Sequence, residues 1–324
     1  MKNNKLHKLI LLIFICGIMF ISGCTQPSEQ APADTVTIKL NWKDSVQFLG
    51  FYVAQHQGFY AEENLDITLV PIEDTFETDG SLEKVGAGEF DFGIAATSVI
   101  LRYQDQPITM VAALYQFSPA TLFARAELGI NSPADLAGHS VAVKSNTWNL
   151  LIDEILVLSN ISPDKVTKVK TGFDMTPFYE GDVDVWVGWI TNEVVRARLK
   201  GLDIVTLPFY EYGIENTDNM IYTSQDMVEN NPEMIDRVLR ATLKGWEWAV
   251  ANPVEAVDIF IEFFPEFEED RDFHQGSFES SIPLIIPPGK ELGSLNCQMS
   301  MLSNANIDEA LCNNTFLQNI LNNK

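Results

Sequence analysis

The chain has 324 residues, 46% hydrophobic and 20% charged, enough for two domains with a sizeable core and too polar for a polytopic membrane protein. Its 45 acidic and 21 basic residues give a formal charge of −24, which leaves no basic surface to release counterions from a phosphate backbone and excludes nucleic acid as a partner. The same balance disfavours adhesion to anionic lipid, but not a covalent lipid anchor.

At the N-terminus, Lys2, Lys5 and Lys8 precede an uninterrupted apolar run from Leu9 to Ile21. The run falls short of the roughly 20 residues that span a bilayer and suits the apolar region of an export signal. Ile21-Ser22-Gly23-Cys24 resembles a bacterial lipobox. Residues 1–23 are therefore expected to be a lipoprotein signal peptide, with Cys24 the lipidated first residue of the mature protein. Residues 24–35 follow as a tether, since TQPSEQAPAD lacks apolar periodicity and holds two prolines. Cys297 and Cys312 then remain in an oxidising compartment, either as a disulfide closing a short C-terminal loop or as two free thiols.

From Val36 onward, strand and helix signals alternate. Val36, Ile38, Leu40 and Trp42 show period two, and Phe48 to Gln57 reads as a helix closed by Gly58. A strand at Asp66–Val70, a helix around Ser81–Ala87 and a buried strand at Phe90–Ile94 come next. Thr97 and Ser98 cap a helix through Tyr103, and Ile108–Leu114 is a further strand. This βαβ succession predicts a mainly parallel sheet with helices on both faces.

The pattern then repeats. Ser132-Pro133 starts a short helix, Ser140–Lys144 is a strand, and Asn146 or Thr147 caps a helix to Ser159. After a strand at Met220–Thr223, Asn231-Pro232 opens a long amphipathic helix with Ile235, Val238, Leu239, Thr242, Trp246 and Val250 on one face; Asn252-Pro253 repeats the start signal. Two α/β lobes behind an export signal suggest a solute-binding protein that closes around a small ligand.

Three blocks sharpen this. LNWKDSVQFLGFYVAQHQGFYAEENLDITLV (Leu40 to Val70), GAGEFDFGIAATSVIL (Gly86 to Leu101) and EGDVDVWVGWITNE (Glu180 to Glu193) resemble the thiamine-precursor family of type II periplasmic binding proteins. The resemblance runs in order from Val36 to about Phe264. It implies an α/β protein of two lobes, each a mainly parallel sheet flanked by helices, joined by two hinge crossings near Thr121–Ala124 and Tyr222–Gln225. Lobe 1 would comprise residues 36–121 and 225–324, and lobe 2 residues 122–224. The implied ligand is a hydroxymethylpyrimidine or its formylamino form, delivered to an ABC permease. Related proteins associated with riboflavin or with sulfonates keep riboflavin, another small heterocycle or a sulfonate as the alternative. A monomer held at the membrane through Cys24 on the extracytoplasmic side is expected.

A planar heteroaromatic ligand needs stacking faces and a few directed hydrogen bonds. Trp42, at the end of the first strand, is placed to stack on it. Thr97 and Ser98, with Asn146 and Thr147 in the second lobe, put hydroxyl and amide groups at two helix starts. Glu193, beside Trp186, Trp189 and Asn192, is the acid expected to pair with an aminopyrimidine edge. Trp189, Tyr115 and Tyr212 are expected to line the cleft, and Phe178 to pack in the core.

The related fungal thiamine pyrimidine synthase carries a lysine and a histidine where GIAATSVIL places Ala95 and Val99, and a cysteine-rich motif that has no counterpart in the second lobe. Schiff-base chemistry thus lacks its amine, and no enzyme, cofactor or metal site is expected. His56, His139 and His274 stand far apart, and no zinc-protease, nucleophile-elbow or P-loop pattern occurs. Gly86-Ala87-Gly88 precedes a strand instead of following one, and reads as a turn.

Overall fold

The computed structural model describes residues 31–72, 80–214, 217–295, 297 and 311–322. The expected signal peptide, the expected lipidation site Cys24 and most of the expected tether lie outside them. Folding begins at Asp34, so the last two tether residues already belong to the first strand.

Ten strands form two sheets. They are β1 (Asp34–Lys39), β2 (Leu65–Val70), β3 (Phe92–Ala95), β4 (Ile108–Tyr115), β5 (Ala120–Arg125), β6 (Ser140–Val143), β7 (Thr167–Lys170), β8 (Val185–Trp189), β9 (Ile204–Pro208) and β10 (Asp218–Ser224). One sheet has the order β2-β1-β3-β10-β4 and the other β7-β6-β8-β5-β9. The two-lobe α/β architecture expected from the sequence is present, but the sheets are mixed. In the first, β1 runs parallel to β2 and β3, whereas β10 is antiparallel to β3 and β4. In the second, β6 is parallel to β7 and β8, whereas β5 is antiparallel to β8 and β9.

The reversal has a topological cause. The chain leaves the first sheet at the end of β4 and enters the second as β5, then leaves at the end of β9 and returns as β10. Each entering strand starts where its neighbours finish, and so runs against them. The crossings are consequently Gln116–Pro119 and the stretch from Phe209 to Thr217. Thr121–Ala124 and Tyr222–Gln225, where crossings were expected, are parts of β5 and of β10 with the helix start after it. The lobe boundaries move by the same few residues, and β10 belongs wholly to the first sheet.

The core explains which patterns were readable. Every residue of β4 is buried, as its nearly continuous apolar run requires of a strand covered on both faces. On the helix Pro232–Ala251, Ile235, Val238, Leu239, Thr242 and Trp246 are buried as the periodicity predicts. This helix crosses Leu49–His56 at contact distance: a Cβ on Gly50 would stand 2.2 Å from the Trp246 ring, and one on Gly245 would stand 2.3 Å from the Gly50 carbonyl oxygen. Phe178 packs fully buried against Phe123 and Trp186 in the second lobe. Cys297 and Cys312 form a disulfide with a Cα–Cα distance of 5.7 Å, resolving the two alternatives. Among the described residues, no helix is long and apolar enough to cross a membrane.

Candidate functional site

Both crossings, the end of β3, the end of β8 and the start of the helix Asn146–Leu158 converge on one cavity of about 190 Å³. The first lobe contributes Ala96 and Ser98, and the second Thr147, Trp148, Leu151 and Trp189. From the crossings come Ser118 and Ala120, and Phe209, Tyr210, Ile214, Thr217 and Asp218. Its position outside strand ends where the sheets exchange the chain is where open α/β sheets place ligands.

The aromatic wall is built from below. Trp148 and Trp189 meet edge to face, with centroids 5.3 Å apart, and Phe209 lies 6.5 Å from Trp148. Beneath them Lys144 and Glu193 form a buried ion pair, Nζ to Oε1 2.7 Å. Lys144 Nζ also sits 4.8 Å from the Trp148 ring centroid, a cation–π contact. The Trp189 amide donates to Glu193 Oε2 at 2.9 Å. A π-helical turn, Ile190–Val194, folds the Glu193 carboxylate back over β8. Gly188 leaves room for it, because a Cβ there would lie 2.7 Å from Glu193 Cδ.

The polar elements lie at the crossings. Thr97 and Thr217 join their hydroxyls at 2.5 Å, stitching the helix after β3 to the second crossing. Asp218, half-buried, accepts from the Asn219 amide at 2.9 Å and, at a long 3.5 Å, from the Ser118 hydroxyl of the first crossing. Loss of water pushes its carboxyl up to about 6. Asn219 has φ +49°, and its side chain is held by Gln47, whose amide donates to Asn219 Oδ1 at 2.8 Å. Among the described residues, no group of three or more His, Cys, Asp or Glu side chains could hold a metal ion.

Of the residues singled out in the sequence, Ser98, Thr147 and Trp189 line the cavity. The others do not. Trp42 is 37% exposed, because β1 ends at Lys39 and the indole falls in the bend beyond it. Thr97 is fully buried by its bond to Thr217, and the N-cap before it is Ala96, with no side-chain cap bond. Asn146 is exposed in the first helical turn, and Ser145 is the residue that caps that helix, accepting from the Trp148 amide. Tyr115 is buried edge to face with Trp246, and burial pushes its phenol up. Tyr212 packs against the second lobe's core, and its neighbour Tyr210 takes the place at the cavity. Glu193 is consumed by Lys144 and the Trp189 amide. Its carboxylate lies beneath the aromatic wall, and the acid among the described lining residues is Asp218. No spacing rule could have paired Lys144 with Glu193, 49 residues away, or set Asp218 apart from the chain's 44 other acids.

Residues 45–256 match the protein family described as "NMT1/THI5 like", and the chain belongs to that family. It is 28% identical over 303 residues to the riboflavin-binding protein RibY of Chloroflexus aurantiacus, covering 86% of this chain and 84% of the relative. It is 29% identical to the formylaminopyrimidine-binding protein of Halalkalibacterium halodurans, over 81% of this chain and 79% of the relative. A 4-amino-5-hydroxymethyl-2-methylpyrimidine phosphate synthase of Legionella pneumophila is 28% identical over 77% of this chain and 79% of its own. Among solved structures, the periplasmic sulfonate-binding protein SsuA of Methylobacillus flagellatus aligns with a TM-score of 0.60 at 15% identity, over 90% of this chain and 95% of that one. The aliphatic sulphonate-binding SsuA of Escherichia coli aligns at 0.56 and 16% identity, over 74% and 83%. The fold is that of type II periplasmic binding proteins.

Proposed function

We propose that this member of the NMT1/THI5-like family is the solute-binding component of an ABC importer, capturing a thiamine pyrimidine precursor between its two sheets. The observation that carries this is the cavity itself: two indoles form an apolar wall for a flat ring, while Ser98, Ser118, Thr147, Thr217 and Asp218 supply the polar part of the lining. A relative that binds formylaminopyrimidine, similar over 81% of this chain, supports the same ligand class.

The cavity size supports the smaller of the two ligands. At about 190 Å³ the cavity lies below the roughly 300–1,000 Å³ common for drug-sized ligands, which suits one substituted ring better than a three-ring flavin with a ribityl chain. The riboflavin-binding relative keeps a flavin as the second reading. The synthase relatives raise an enzymatic reading, against which two features weigh. Ala95 and Val99, at the synthase lysine and histidine positions, pack in an apolar cluster, and none of the described lining residues is a lysine. Lys144, beneath the wall, is committed to Glu193.

Anchoring through Cys24 would hold a monomer at the extracytoplasmic face, where the closed form is presented to the permease. Closure is favoured because ring stacking and hydrogen bonds from both lobes exist only when the cleft is shut. A thermal-shift panel of hydroxymethylpyrimidine, its formylamino form, riboflavin, pyridoxal phosphate and taurine tests the reading. Ligand at 100 times its dissociation constant stabilises by about 2.7 kcal/mol. A shift with the pyrimidines is expected; a shift with taurine or riboflavin alone would replace the ligand.

A further inference from the structure

Asp218 occupies a singular place in the cavity. It is the first residue of β10, at the point where the second crossing re-enters the first sheet, and through Ser118 it also touches the first crossing. Its carboxyl is the one acidic group among the described lining residues, set among Trp148, Trp189, Phe209 and Tyr210. Among the described residues no Lys, Arg or His pairs with it, and its only short hydrogen bond comes from the next residue's amide. One oxygen is thereby held by Asn219, and the other has only the long contact to Ser118.

An acid in that setting is half of a two-point recognition pair. The edge of an aminopyrimidine offers one donor, the amino group, next to one acceptor, the ring nitrogen. A carboxyl group matches it when the pair shares a single proton, either as a neutral acid facing a neutral ring or as a carboxylate facing a protonated ring. We propose, building on the pyrimidine-precursor reading, that Asp218 is the specificity-determining residue, pairing edge-on with the aminopyrimidine of the ligand and taking up one proton from solvent as the complex forms.

The balance is simple. Above about pH 7 the free carboxyl is mainly ionised and the free ring is neutral, so forming the pair consumes one proton and breaks no covalent bond. Desolvation already lifts the free carboxyl towards neutrality and makes that uptake easier. The nearest phenols on the neighbouring elements are Tyr115 and Tyr210. Tyr115 is its partner across the β4–β10 ladder, and Tyr210 lies on the cavity with Glu211 beside it. Burial pushes both phenols up, so they stay neutral.

The test is calorimetric titration of hydroxymethylpyrimidine into the purified full chain and its Asp218→Asn and Asp218→Leu variants, from pH 5.5 to 8.5, in two buffers of different ionisation enthalpy. The wild type is expected to take up close to one proton at pH 8, and its affinity to fall about tenfold per unit above pH 7. An asparagine amide carries the same donor and acceptor without titrating. Asp218→Asn should therefore bind within about fivefold of the wild type at pH 6 and lose the pH dependence, and Asp218→Leu should bind more than tenfold more weakly throughout. Binding by the wild type with no proton uptake, or a pH profile that survives in Asp218→Asn, overturns the role of Asp218 and leaves the pyrimidine reading standing. Absence of binding by the wild type overturns both.

Discussion

Lys144 donates to Glu193 across 2.7 Å, and the two side chains are only 1% and 12% exposed. The pair lies under the cavity's aromatic wall, with the cation against Trp148 and the carboxylate accepting from the Trp189 amide. A buried charge left without its partner is far more costly than the intact pair is favourable. Lys144→Met is therefore expected to lower stability by about 3 to 5 kcal/mol in denaturant unfolding. Adding Glu193→Gln, which keeps an acceptor for the Trp189 amide, should recover at least half of that loss. Equal stability of the single and double variants would mean that the two residues are not coupled.

The wall itself is open to truncation. Trp148→Ala and Trp189→Ala should each weaken pyrimidine binding by about 1 to 3 kcal/mol, the range of a buried aromatic anchor. Trp42, which does not line the cavity, should cost less than about 0.5 kcal/mol when truncated, in keeping with an exposed position. Affinities from quenching of intrinsic fluorescence give the comparison, and a larger loss at Trp42 would move the site to the end of β1.

The crossings and the site differ in how far they could be read. β4 and the helix Pro232–Ala251 were legible because their periodicity follows burial, on both faces of one and one face of the other. The crossings were displaced by a few residues because β5 and β10 are short strands of mixed polarity whose membership is decided by pairing with distant strands. Ser98, Thr147 and Trp189, expected at the ligand, reach the cavity because they lie at or just after the ends of β3, β6 and β8. Glu193 was chosen for its chemistry and its motif, but Lys144, the partner that occupies it, is supplied by the tertiary fold. Asp218 carried no signal beyond an acid ahead of the apolar run Met220–Tyr222.

The Asp218 carboxyl also leaves a mark on the unliganded protein. Its folded-state value is raised from 3.8 to about 6, so the stability it contributes is complete below about pH 4 and is lost as pH rises through 6. Asp218→Asn removes that loss. It should be more stable than the wild type at pH 7 by on the order of 2 to 3 kcal/mol, with little difference below pH 4. Thermal unfolding of both proteins across this range checks the sign, and a difference independent of pH would contradict it.

The disulfide lies with Leu295 and Leu311 on the first sheet's core, where Cys312 bridges to Met110, and neither cysteine lines the cavity. Reducing it, or the pair of substitutions Cys297→Ser and Cys312→Ser, is expected to lower stability by about 3 kcal/mol in the chain-entropy account of such a loop. Ligand affinity measured below the new melting temperature should not change. A weakened ligand with unaltered melting would place the C-terminal segment in the site instead.

The most direct measurement is a crystal structure of the protein grown with hydroxymethylpyrimidine. The ring should lie between the two sheets against Trp148 or Trp189, with its amino edge at Asp218 and the Lys144–Glu193 pair intact beneath. A ring bound beside Trp42, a Glu193 carboxylate released from Lys144 to hold the ligand, or an empty cavity in crystals that take up riboflavin would contradict the account.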